Sequence, residues 1–244
     1  MIKQLRNNAR QYFSSTHSLL YSYLISLPLL LLYEMLIFIS QPDAEQVVRI
    51  SVDVWIKTLL SFMGQHVLSI TLIFVALLGI IILYRERDKL STLSMRYFGY
   101  MIIESMVYAV VLALLIGAAI SNLLQLLPSA PIESIPLLQQ FALSLGAGLY
   151  EELFFRVILV SALLYVLQKF ISKKYIAYGC AIVLAALLFS AVHFVGDMGY
   201  PFSWAGLLFR FLFGLALNAI YLWRGFGTAA WTHALYDLLV IILW

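Results

Sequence analysis

Seven apolar stretches, at about 18–40, 66–84, 97–120, 135–167, 175–195, 203–223 and 227–244, govern what this chain can fold into. Roughly 20 apolar residues cross a bilayer as a helix, whereas a transmembrane β-strand needs only about 9–11 alternating ones. The stretches therefore predict an all-α, polytopic transmembrane helix bundle of about seven spans. Composition agrees: 64% of the 244 residues are hydrophobic and 11% are charged. An ordinary soluble domain carries about 25% charged residues. This balance excludes a soluble enzyme or a nucleic-acid-binding domain as a reading of the whole chain, and no nucleic-acid partner is expected. The lone cysteine, Cys180, excludes an intrachain disulfide and any C-x-x-C metal motif. Lys3, Arg6 and Arg10 precede an apolar run too long for a signal peptide, and no small-x-small cleavage site follows it. The first stretch thus reads as a retained span. No repeat or long linker divides the chain, so residues 1–244 read as a single membrane domain. Residues 1–133 hold the N-terminal spans and residues 134–244 the spans that carry the motifs.

Charge placement orients the bundle. Lys3, Arg6 and Arg10 precede span one, and Arg85, Arg87, Lys89 and Arg96 lie between spans two and three. Lys169, Lys173 and Lys174 separate spans four and five, and Arg224 separates six and seven. The intervening loops 121–134 and 196–202 contain no Lys or Arg. The positive-inside rule then predicts a multi-pass protein of the cell membrane with a cytoplasmic N-terminus and an external C-terminus.

One loop has its own pattern. Glu45, Arg49, Asp53 and Lys57 recur every four residues with alternating sign, beside an apolar stripe of Val48, Val52, Trp55, Leu59 and Phe62. This predicts an amphipathic helix with i,i+4 charge pairs, lying in the membrane interface.

Charges within apolar spans are costly, about 2.5–3.5 kcal/mol each at the bilayer centre, and so mark partners, wet cavities or chemistry. The candidates are Glu34, Glu104, Glu151, Glu152, Arg156, His193, Arg210, His233 and Asp237. Most fall in the last four spans. Glu152 and Arg156 are four apart and can pair, while Glu151 points about 100° away on an α-helix, towards a different environment. His233 and Asp237 are also four apart. Glu, His and Asp can activate water and stabilise an oxyanion, and they are equally plausible zinc ligands. Neither H-E-x-x-H nor G-x-S-x-G occurs.

Three motifs in order, Glu151-Glu152-x-x-x-Arg156, Phe189-x-x-x-His193 and His233-x-x-x-Asp237, resemble the CPBP family of intramembrane proteases. That family contains the type II CAAX prenyl endopeptidases and bacterial relatives linked to bacteriocin self-protection. The resemblance covers residues 135–240. It implies an intramembrane endopeptidase that hydrolyses a membrane-associated protein or peptide at the lipid bilayer. By the same resemblance, Glu151 and His193 activate water, His233 and Asp237 position the carbonyl and stabilise the oxyanion, and Glu152 and Arg156 support the site. Asp237 departs from the Asn typical of the prenyl proteases, and an ionised carboxylate has no proton to donate. If a metal is present, Glu151, His193 and His233 are the expected zinc ligands, but a metal-free Glu–His arrangement is preferred. Two other readings use the same residues: a non-catalytic binding or immunity protein of this fold, and a proton-coupled transporter.

Straight spans leave one conflict. His193 falls at the far end of span five, whereas His233 lies only about 9 Å into span seven from the opposite side. Gly146 and Gly148 are expected to break the long fourth segment and shift Glu151.

Overall fold

A computed structural model describes residues 2–41, 48–61, 67–124, 135–195, 199 and 201–243. The chain order is α1 (Ile2–Thr16), α2 (Leu19–Ser40), α3 (Ser51–Ser61), α4 (Val67–Arg85) and α5 (Met95–Leu124). Then follow α6 (Leu137–Gly146), α7 (Ser161–Phe170), α8 (Lys174–Val192), α9 (Trp204–Arg224) and α10 (Phe226–Leu243). No strand occurs among the described residues. Among the described residues, six helices are long and apolar enough to cross a membrane: α2, α5, the continuous rod Leu137–Phe170, α8, α9 and α10. The second expected span corresponds to α4, whose apolar stretch Thr71–Arg85 is shorter. Its outward residues Ile73, Phe74, Ile80 and Ile81 are exposed apolar surface of the kind lipid covers.

The α10 helix forms the centre of the bundle and packs against α2, α5, α6 and α9. Small residues make this approach feasible: Ala229, Ala230 and Ala234 are fully buried. Ala177, Ala181 and Ala185 form a similar buried row on α8. The α8–α9 pair is antiparallel, pinned by Asn218 Nδ2 donating to the Ile182 carbonyl and Ser190 Oγ donating to the Leu207 carbonyl. The turn from α9 to α10 is the single residue Gly225, at φ 86°, a left-handed conformation that a side chain disfavours.

The long fourth segment is not broken at Gly146 and Gly148. It runs on through both, and the helix widens to π geometry over Ala147–Glu151 and Leu153–Val160. The glycines serve close approach instead of chain reversal. A Cβ at Gly148 would lie 2.5 Å from the Ala230 carbonyl oxygen and 2.6 Å from Ala234 Cβ, and one at Gly146 would strike the Tyr33 ring. In a membrane, where the neighbouring helix offers packing and no water competes, a glycine inside a helix is tolerated for this purpose.

The amphipathic segment forms as α3, but its charged side turns inward. Arg49, just before the helix, and Lys57 each bridge both Asp53 and Glu34 of α2, at distances of 2.6–3.0 Å. Asp53 is fully buried and also accepts from Tyr33 at 2.7 Å. The expected i,i+4 pairs Arg49–Asp53 and Asp53–Lys57 form. The sequence pattern did not reveal that Glu34 completes a closed ring of four charges, so that the segment is strapped to α2. Of the apolar stripe, Val52 is buried while Trp55 and Leu59 face outward. Glu45 and Phe62 lie outside the described residues.

Glu104 is equally structural. It pairs with the buried Arg224 and accepts from Tyr12 and Tyr108, and Arg224 also donates to Thr16. This ties α1 and α5 to the α9–α10 turn.

Candidate active site

The first motif lies on the π-helical stretch, where the i→i+5 pattern widens the turn. Such bulges are concentrated at functional sites. The two adjacent glutamates leave it in different directions. Glu152 is fully buried, and its Oε1 accepts from His233 Nδ1 at 2.7 Å. Arg156 NH1 lies 2.9 Å from the same oxygen. The Arg156 guanidinium also stacks over the Phe189 ring at 4.5 Å, a cation–π contact that offsets part of its desolvation. Glu151 instead faces His193, with Oε2 3.8 Å from Nε2. That gap is too long for a direct hydrogen bond.

The depth conflict between the histidines resolves through side-chain direction. Phe213 of α9 packs on the His233 ring at 5.1 Å, and the neighbouring Gly214 lies against Ala186 of α8. His233 is therefore level with the middle of α8, some seven residues before His193. Side chains on a helix lean towards its N-terminus. His193 does so, and its Nδ1 donates to the Phe189 carbonyl at 2.7 Å. With Nδ1 committed as donor, Nε2 is the basic nitrogen, and it is the one aimed at Glu151. The Phe189 ring then contacts both imidazoles, His193 at 4.9 Å and His233 at 6.0 Å between centroids. The result is two tiers, one for each glutamate, with Phe189 between them.

The tiers differ in access. Side-chain exposure is 21% for His193, 12% for Glu151 and 31% for Asp237, but only 4% for His233 and 0% for Glu152. The Glu151–His193 tier is the more open of the two, although Glu151 Oε2 itself is buried without a hydrogen-bond partner among the described residues, and the Glu152–Arg156–His233 tier is sealed. Asp237 Oδ2 lies 3.5 Å from His233 Nε2, so carboxylates flank both nitrogens of this ring.

The donors do not fit the three-ligand zinc site. Among the described residues, no three His, Cys, Asp or Glu side chains are placed to hold one metal ion. Glu152 occupies His233 Nδ1, and the Nε2 of His233 faces Asp237, not the Glu151–His193 pair.

All seven residues of the three motifs fall in this region, and Arg210 joins them. Its guanidinium lies 5.3 Å from the Phe194 ring, and its charge is within Coulombic reach of Glu151, His193 and Asp237. Glu34 and Glu104 lie in the separate clusters described above. The Glu152–His233 bond was not legible in sequence, because its partners are 81 positions apart on different helices. An intramembrane His with no carboxylate on its own preceding turn was the available signal.

Comparison with known proteins bears on the same segment. No curated protein and no solved structure matches the chain. Residues 133–239 match the family described as Type II CAAX prenyl endopeptidase Rce1-like. The stretch that builds both tiers of the site, from Glu151 to Asp237, thus lies wholly within the segment that is similar to that family.

Proposed function

We propose that this chain is an intramembrane endopeptidase that hydrolyses a peptide bond of a membrane-associated protein. The observation that carries this reading is the open Glu151–His193 pair, 3.8 Å apart, beside a sealed tier that holds charge in place. A water between Glu151 Oε2 and His193 Nε2 has two acceptors for its protons, and its lone pair is left to attack a carbonyl carbon. Its proton passes to this pair and later to the leaving amine nitrogen, as the C–N bond breaks. The buried Glu152, held by Arg156, fixes the His233 ring beneath the carbonyl. His233 in turn faces Asp237, with Nε2 3.5 Å from Oδ2, and so fixes where that carboxylate stands in the site.

The basic residues between spans support an orientation with the N-terminus in the cytoplasm and the C-terminus outside, in the cell membrane. Residues 1–244 act as one membrane domain in this reading, since a single hydrophobic cluster draws on both halves, from Leu29 to Tyr236.

The test uses purified protein in vesicles of phosphatidylcholine and phosphatidylglycerol. Two probes are offered: a prenylated peptide ending in Cys-aliphatic-aliphatic-X, and a non-prenylated transmembrane peptide. Products are read by mass spectrometry. Cleavage of either by the wild type and not by Glu151→Gln supports the reading, and identifies which substrate class is taken. Failure to cleave both overturns it in favour of a binding role.

A further inference from the structure

The reaction creates an oxyanion, and the open tier offers few donors to receive it. An ionised Asp237 has no hydrogen to give. His233 Nδ1 is committed to Glu152, and its Nε2 faces Asp237. Arg156 and Arg224 are each fully buried beside a carboxylate of their own, Glu152 and Glu104. Arg210 differs from both in its burial. It lies half-buried on α9, at the end of the bundle where His193 and Phe194 leave α8.

Its position is built into the backbone. NH1 reaches back one turn to the Gly206 carbonyl at 3.4 Å, and the guanidinium rests beside Phe194. A Cβ at Gly206 would lie 2.9 Å from Arg210 NH1, 2.8 Å from Ser203 Oγ and 3.3 Å from the Phe194 ring. The missing side chain at Gly206 is therefore the space the guanidinium lies along. Phe209 and Phe213, which flank Arg210 on α9, both pack on Tyr236, the residue before Asp237. The same register brings Arg210 to the Asp237 end of α10. Glu151, His193 and Asp237 all lie within reach of its charge. A guanidinium carries five donors, so it can hold a carboxylate and still receive another oxygen.

We propose that Arg210, seated along Gly206, donates to the oxyanion of the tetrahedral intermediate, the role Asp237 cannot fill. This rests on the peptidase reading above. Water oxygen bonds to the carbonyl carbon, and the carbonyl π pair moves onto oxygen, where Arg210 meets it. When that pair returns, the C–N bond breaks and the amine leaves with the proton held by the Glu151–His193 pair.

The experiment compares variants on whichever of the two probes the wild type cleaves, with thermal unfolding in detergent alongside. In Arg210→Gln, kcat is expected to fall about 10²–10³-fold, the usual effect of removing one oxyanion donor, with KM little changed. Adding Asp237→Asn to Arg210→Gln restores a donor and is expected to recover about tenfold or more of that loss. A purely structural arginine would not respond in this way. Arg210→Lys keeps the charge without the planar fork and should fall between the two. Gly206→Ala moves the guanidinium without removing it and should lower kcat. If Arg210→Gln does not fold, Arg210→Lys and Gly206→Ala carry the test, and wild-type kcat in both overturns the proposal. A raised KM with intact kcat in Arg210→Gln also overturns it, since the residue would then bind the ground state. An inactive Glu151→Gln beside a fully active Arg210→Gln sinks this inference alone. Activity in both variants sinks the peptidase assignment of Glu151 as well.

Discussion

Glu152 and His233 are joined by a 2.7 Å hydrogen bond from Nδ1 to Oε1, across 81 residues of sequence and between two different helices. The bond makes one glutamate of the pair a structural anchor and leaves its neighbour, Glu151, for the open tier. The division of labour between two adjacent carboxylates follows from which histidine each one meets.

Glu151→Gln tests the working half of that division. The amide keeps shape and hydrogen-bonding capacity but cannot take a proton at neutral pH. Turnover should fall about 10²-fold or more, because general base catalysis contributes 10²–10⁴-fold. The melting temperature should hold or rise, since an amide costs less to bury than a carboxylate.

Glu152→Gln should behave in the opposite way. It leaves Arg156 without its counter-charge at 1% exposure and weakens the anchor of His233. Breaking a buried pair in this manner costs about 3–5 kcal/mol. A clear loss of thermal stability in detergent is expected, with activity lost as a consequence. A stable, inactive Glu152→Gln beside an active Glu151→Gln would reverse the two assignments.

Gly148→Ala probes the contact between the π-helical stretch and α10. The added Cβ would meet the Ala230 backbone oxygen at 2.5 Å, and backbone cannot swing aside as a flexible side chain can. The expected cost is about 1–3 kcal/mol of overpacking. Activity should drop further than stability does, since a misplacement of about 1 Å in reacting groups can cost 10²-fold. Equal activity to wild type would show that the two glutamates do not depend on this contact.

Chelation addresses the donor geometry. With Glu151 and His193 in one tier and His233 held by Glu152 in the other, activity should survive dialysis against a strong zinc chelator. Stoichiometric zinc in the pure protein, with activity lost on chelation and regained on zinc addition, would require the two tiers to close on one ion.

Glu86 provides a pH test outside the spans. Partial burial acts to raise its pKa, but hydrogen bonds from Lys89 and the Leu20 amide, together with the Lys89 charge, outweigh this and hold it below the ordinary Glu value. A lowered folded pKa contributes stability that is complete above the unfolded value of about 4.3. That stability is lost as pH falls through the folded value. Glu86→Gln should therefore flatten the acid side of the stability profile below about pH 5 while changing little in its shape at higher pH. An unchanged acid limb would mean that Glu86 does not contribute to it.

The spans, the helical class and the order of the three motifs were legible in the chain itself. Apolar length and intrahelical spacing are properties of one segment at a time, and the bilayer imposes them before any helix meets another. The i,i+4 pairs Arg49–Asp53 and Asp53–Lys57 were legible for the same reason. What each helix turns towards its neighbours was not. Glu34 closing the ring around Asp53, Glu152 reaching His233, and Gly148 seating Ala230 all depend on rotation and register between helices. Spacing along a single chain carries no record of either. The widening to π geometry at Ala147–Glu151 is a further case, and so is which histidine each of Glu151 and Glu152 meets. Only packing decided it: the glycines admit Tyr33 and α10 so closely that the helix between them, not a break in it, carries the site.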